Sequence, residues 1–93
     1  MYRDFNSPLY KAWRLSVFKR DGFKCAFPNC GYKGKKINAH HIKRFSDYPQ
    51  LGYFRSNGIT LCAIKGGHHD LVKDKEECYV ELFTSIINQK EKV

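Results

Sequence analysis

Apolar residues recur at helical spacing early in the chain: Leu9, Trp13 and Val17, with Tyr10 to one side. That spacing predicts an amphipathic helix over about 8–20. Ser7-Pro8 supplies its start, because Ser caps unpaired N–H groups and Pro suits the first helical position. Asp21-Gly22 is a turn signal that ends the helix near Arg20, so Lys11, Arg14, Lys19 and Arg20 surround the apolar stripe. Further on, INAHHI (37–42) and GITLC (58–62) read as short strands. The polar, proline-containing segment between them makes an antiparallel hairpin. After Gly66-Gly67 the pattern turns helical. Asp74 followed by Glu77 resembles a capping box that opens a last helix over about 75–88. Cys78, Leu82 and Ile86, with Tyr79 and Phe83 beside them, are its expected buried face, and the closing NQKEKV is polar and expected to fray. Helix, cysteine turn, hairpin, helix and helix together predict an α+β chain.

Its 93 residues leave room for one domain, and a chain this short often needs a staple, which draws attention to its four cysteines. No apolar run approaches a membrane span, and MYRDFNSPLYK has no signal-peptide core. The expectation is a soluble, cytoplasmic protein whose cysteines bind metal rather than form disulfides. Charge is uneven. Residues 1–46 hold 11 Lys/Arg against Asp4 and Asp21, a net of +9, whereas residues 47–93 carry a net of −1. A basic half is the footprint of a nucleic-acid binder, although lysine-rich surfaces also serve solubility.

CAFPNCGYKGKK (25–36) sets two cysteines around a Pro-Asn turn, the shape of a zinc knuckle spanning 25–30. Cys25, Cys30 and Cys62 supply three thiolates for a structural zinc. The fourth ligand comes from His68, His69 or Cys78. His68 is preferred, since Cys78 sits on an apolar stripe where a buried thiol is the default. The four histidines form two adjacent pairs, His40-His41 and His68-His69. On a strand, successive side chains face opposite ways, and on a helix neighbours diverge by about 100°. Each pair is therefore suited to two different tasks.

The string WRLSVFKRDGFKC, then AHHI, NGITLC and HHD in that order, resembles the HNH endonucleases. These form the zinc-stapled branch of the ββα-metal (His-Me finger) nucleases of phages and mobile elements. The likeness runs from about Tyr10 to Phe83. It implies a treble-clef-like finger, with hairpin and metal helix over about 37–73, between the N-terminal and C-terminal helices. It implies that His41 is the general base, that His40 and His69 hold a catalytic divalent ion (Mg2+, Mn2+, Ni2+ or Zn2+), and that Asn57 braces the long loop. The chain departs from the pattern after Cys62, where AIKGG lengthens the last zinc half-site and leaves the order of His68 and His69 open. The implied activity is metal-dependent hydrolysis of DNA phosphodiesters, the substrate being double-stranded DNA. An imidazole titrating near neutrality suits the base's task. Lys33, Lys35, Lys36, Lys43, Arg44 and Arg55 are the expected phosphate contacts. A protein partner or a homodimer could add specificity, and a phage origin would place the protein in a bacterial host. The alternative is a non-catalytic zinc module that binds nucleic acid and has no need of His41.

Overall fold

Ser7 starts the first helix as its sequence predicts: its hydroxyl accepts the Leu9 N–H at 3.2 Å, and Pro8 takes the first helical position. The structure, a computed structural model, describes residues 7–91. The N-terminal residues 1–6 and the last two of the expected frayed tail lie outside the described residues. Helix α1 covers Pro8–Asp21 and stops at Gly22, whose φ of 71° lets its N–H bond the carbonyl of Lys19. Its buried face is Tyr10, Trp13, Val17, Phe18 and Asp21. Leu9, expected on that face, is 64% exposed. The stripe is turned by one residue, because Tyr10 continues to Trp13, Val17 and Asp21 at the i, i+3, i+4 steps of a single face.

Strands β1 (Ile37–His41) and β2 (Gly58–Cys62) pair antiparallel, with His40 opposite Ile59 and His41 opposite Gly58. This register decides the site. Directly opposed residues share a face, so His41 and Gly58 look towards α1 while His40 and Ile59 look the other way. All five residues of β2 are buried, since helices cover both faces. A β-carbon at Gly58 would lie 2.5 Å from Val17 and 2.8 Å from Trp13, so glycine lets α1 seat directly on the strand.

Helix α2 (His68–Val72) follows Gly67, and helix α3 (Glu76–Glu91) completes the order. The last helix begins one residue after the expected start, and it is Glu76 rather than Glu77 that accepts the Asp74 N–H, at 2.9 Å. Its buried face also differs from expectation. Phe83 and Ile87 are buried with Tyr79, Val80 and Ile86 packed beside them, whereas Cys78 and Leu82 are exposed. Tyr79, Phe83 and Ile87 recur every fourth residue, and neighbours about 100° away turn outward. Gln89, Lys90 and Glu91 remain helical where fraying was expected, because ion pairs hold this end. Lys90 reaches Asp21 at 3.4 Å and Glu91 reaches Arg55 at 2.9 Å.

Two apolar clusters flank the sheet. Tyr10, Trp13, Val17, Phe18 and Ala39 form one, while Ile42, Ile59, Leu61, Val72, Phe83 and Ile87 join Cys25 and Cys62 in the other. Between them, Asp21 is 2% exposed and accepts the Thr60 N–H at 2.9 Å and the Arg20 guanidinium at 2.9 and 3.0 Å. Burial raises the Asp21 pKa, but Arg20 and the Thr60 N–H outweigh it and the net shift is downward. Arg20 also donates to the carbonyls of Gly58 and Arg55, so a charge expected on the helix surface instead anchors α1 to β2.

Candidate functional site

Cys25, Cys30, Cys62 and His68 come together from three places. The first two lie on a turn closed by Cys25 N–H to Tyr32 O (2.8 Å) and Cys30 N–H to Phe27 O (3.1 Å). Cys62 ends β2 and His68 opens α2. Asn29 and Gly31, at φ 65° and 66°, bend the turn so that both thiols face inward. One donor atom from each residue lies within 4.8 Å of all the others. His68 Nδ1 is 3.4 Å from Cys62 Sγ and 3.6 Å from Cys25 Sγ, and the Cys30 and Cys62 sulfurs are 4.0 Å apart. Zn–S bonds of about 2.3 Å and Zn–N bonds of about 2.0 Å set tetrahedral edges of about 3.8 and 3.5 Å. The residues therefore fit a structural zinc, and three sulfurs with one imidazole are a donor set that this ion favours.

Further contacts hold the cluster. Phe27 stacks on the His68 ring at 4.0 Å, and the His68 N–H points at Cys62 Sγ from 3.2 Å. Burial pushes the Cys25 thiol up to about 12, so thiolate at this position calls for a neighbouring cation. Cys78, the rival fourth ligand, is exposed and outside the group.

The other histidine of each pair turns elsewhere. His41 stacks flat on Trp13 at 4.1 Å, and Phe45 meets it edge-on at 5.6 Å. Its Nε2 lies 2.8 Å from the carbonyl oxygen of Gly52. A carbonyl only accepts, so the proton sits on Nε2 and the lone pair is left to Nδ1. His40 packs edge-on against Phe83 at 5.8 Å and against His69 at 6.4 Å. Its Nε2 is buried without a hydrogen-bond partner among the described residues. Burial first, and the nearby His69 second, press the His40 pKa down to about 4, which keeps the ring neutral. A neutral imidazole with an unused buried nitrogen suits coordination of a cation.

His40, His41 and His69 share a cavity of about 520 Å³ with Tyr10, Arg44, Ser46 and Glu76 among its other lining residues. The segment that shapes it is pinned by Asn57. Asn57 Oδ1 accepts the Lys43 N–H at 2.9 Å, and Nδ2 donates to the carbonyls of Lys43 (3.1 Å) and Leu51 (3.4 Å). Trp13 Nε1 adds a bond to Phe54 O at 2.8 Å.

The basic residues are scattered by comparison. Arg44 lines the cavity, where it pairs with Asp47 at 3.2 Å and Glu76 at 3.8 Å. Lys43 is exposed with its ammonium over the Tyr48 ring, and Lys33, Lys35 and Lys36 are exposed ahead of β1. Arg55 is bound in a fork by Glu91, at 3.0 and 2.9 Å, and does not line the cavity. Sequence reasoning passed over Trp13, Gly52 and Glu76 as site residues. From the sequence Trp13 reads only as part of the core-facing stripe of the first helix, and a carbonyl that orients a histidine eleven residues away leaves no mark on residue type. The acidic residue just after the His68-His69 helix was the available signal for Glu76.

Among the described residues no helix is long and apolar enough to cross a membrane. No family model, curated protein or solved structure matches the chain.

Proposed function

We propose that this chain is a zinc-stapled, metal-dependent endonuclease of the HNH type, acting on DNA through its histidine cavity. The observation that carries the reading is His41, held by the Gly52 carbonyl and the Trp13 ring with its lone pair on Nδ1, in the same cavity as His40 and His69. Base and cation ligands belong together in this way when water must attack a phosphodiester. The treble-clef description accounts for the placement of a cysteine turn, a hairpin and a short helix around one cluster.

In this reading His40 and His69 would hold a divalent cation, which would supply neutralising charge for the phosphate and the leaving 3′ oxygen. His41 Nδ1 takes a proton from the attacking water as the new P–O bond forms. The bond to the 3′ oxygen breaks, leaving a 5′ phosphate and a 3′ hydroxyl whose proton comes from solvent. Trp13 and Gly52 keep the imidazole from turning away, so its orientation is set before substrate arrives. Arg44 and the exposed Lys33, Lys35, Lys36 and Lys43 supply positive charge for flanking phosphates.

A non-catalytic zinc module is the competing reading, and the Cys3His cluster alone would satisfy it. It gives no use to the buried, unpartnered His40 Nε2 or to the oriented His41. Nicking of supercoiled plasmid with Mg2+, Mn2+ or Ni2+, with and without EDTA, separates the two. Metal-dependent relaxation of the plasmid supports the nuclease. Tight binding without cleavage under any ion supports the module.

A further inference from the structure

Among the described residues Glu76 is the one carboxylate that lines the cavity of His40 and His69, and it lies in the first turn of α3. The Glu76 side chain is 16% exposed, so its charge acts through protein more than through water. Its two oxygens are used unequally. Oε2 accepts the Asp74 N–H at 2.9 Å, whereas among the described residues Oε1 has only a long pairing with Arg44 at 3.8 Å. The same cavity contains His40 Nε2, which is buried without a hydrogen-bond partner among the described residues. The donors of His40, His69 and Glu76 do not lie within 4.8 Å of one another as those of the cysteine cluster do, so an ion would have to draw the Glu76 side chain inward.

We infer that Glu76 is the third protein ligand of the cavity cation, with Oε1 joining His40 and His69. The inference rests on the reading of this cavity as a cation site. Two imidazoles and one carboxylate form a donor set for first-row divalent cations such as Mn2+, with positions left over for water and a phosphate oxygen. Mg2+ dehydrates reluctantly and prefers all-oxygen surroundings, so it should bind this set more weakly. The cation and Arg44 would compete for the same carboxylate oxygen. Binding the ion would therefore release the Arg44 guanidinium towards a phosphate in the same cavity. Zinc in the cysteine cluster is untouched by this exchange, because none of its four ligands lines the cavity.

Binding of Mn2+ to the full-length, zinc-loaded chain, followed by the EPR signal of unbound Mn2+, tests the assignment without any assay of cleavage. Glu76→Gln removes the charge but keeps an oxygen to accept the Asp74 N–H. It should retain zinc and weaken Mn2+ about 10- to 100-fold, the loss typical when a group supporting a metal site is removed. His69→Ala should weaken Mn2+ at least as much. Arg44→Met leaves Glu76 in place and should tighten Mn2+ several-fold, which supplies a second reading should the glutamine variant fold poorly. Wild-type affinity in Glu76→Gln with weakened binding in His69→Ala would overturn the role of Glu76 and leave the cation site standing. Unchanged or weaker binding in Arg44→Met would also count against Glu76. Equal, weak binding by wild type and His69→Ala would overturn the cation site and the inference with it.

Discussion

The cysteine cluster and the histidine cavity draw on the same two histidine pairs yet are built in opposite ways. In the cluster all four donors lie within 4.8 Å of one another, three of their separations fall near the edges of a zinc tetrahedron, and His68 is fixed by both Phe27 and Cys62. In the cavity His40 keeps a nitrogen without a hydrogen-bond partner among the described residues, the His69 ring lies 6.4 Å from that of His40, and one oxygen of Glu76 is held only by a 3.8 Å pairing with Arg44. A structural ion needs a closed shell, whereas a catalytic ion needs open positions for water and substrate. The difference teaches that adjacent histidines can enter two different surroundings, one a closed donor cluster and the other an open cavity, when the backbone turns the two rings apart.

The largest effect expected from breaking the comparison lies on the zinc side. Binding of structural zinc in small domains is worth roughly 10–16 kcal/mol at neutral pH, more than such a fold retains as net stability. Cys25→Ala or Cys62→Ser should therefore give unfolded or insoluble protein, read by circular dichroism and zinc content. Cys78→Ala, at an exposed position, should melt close to wild type. On the cavity side, His41→Ala should keep zinc and fold but lose about 10²- to 10⁴-fold in nicking rate, the usual contribution of a general base. Near-normal nicking by the purified variant would remove His41 from that role.

The histidine pairs, the cysteine turn and both strands were legible in the sequence, because short-range rules govern them. Period 2 separates His40 from His41, and Ser7-Pro8 and Gly22 bound α1 by local hydrogen bonding. Errors arose where one residue's rotation decides the outcome. Leu9 and Tyr10 are equally apolar in pattern, as are Leu82 and Phe83, and only packing chose between them. Long-range contacts were illegible for a different reason. Arg20 and Asp21 read as a surface cation and a turn residue, yet they meet Thr60, Gly58 and Lys90 in the interior. Nothing in residue type marks Gly52 as the carbonyl that aims His41.

Acid should sharpen the contrast more modestly. His40 has its pKa depressed in the folded protein, so between about pH 6.5 and about 4 the unfolded chain binds the extra proton. Stability from this group is therefore complete above pH 6.5 and falls as pH drops towards 4, by at most about 3 kcal/mol. His40→Gln should flatten that part of the pH–melting curve relative to wild type. An identical slope in the two proteins would show that His40 is not kept neutral by the fold.

The smallest effects concern surface charge. Replacing Lys33, Lys35 and Lys36 together by Gln should weaken DNA binding and lower the salt slope by roughly 2–3, as each lost phosphate contact removes about one released counterion. Arg55→Gln should change the slope less than any one of those lysines, since Glu91 already occupies the guanidinium. Fluorescence titration across salt concentrations measures both.

Paired alanine variants separate the tasks of His68 and His69. Native mass spectrometry for zinc, a thermal melt and plasmid nicking should be run on both. His68→Ala should lose zinc and melt early, with activity lost through unfolding. His69→Ala should keep zinc and its melting temperature but lose divalent-dependent nicking. The reverse pattern would exchange the two roles, and indistinguishable behaviour of the two variants would contradict the separation of the sites.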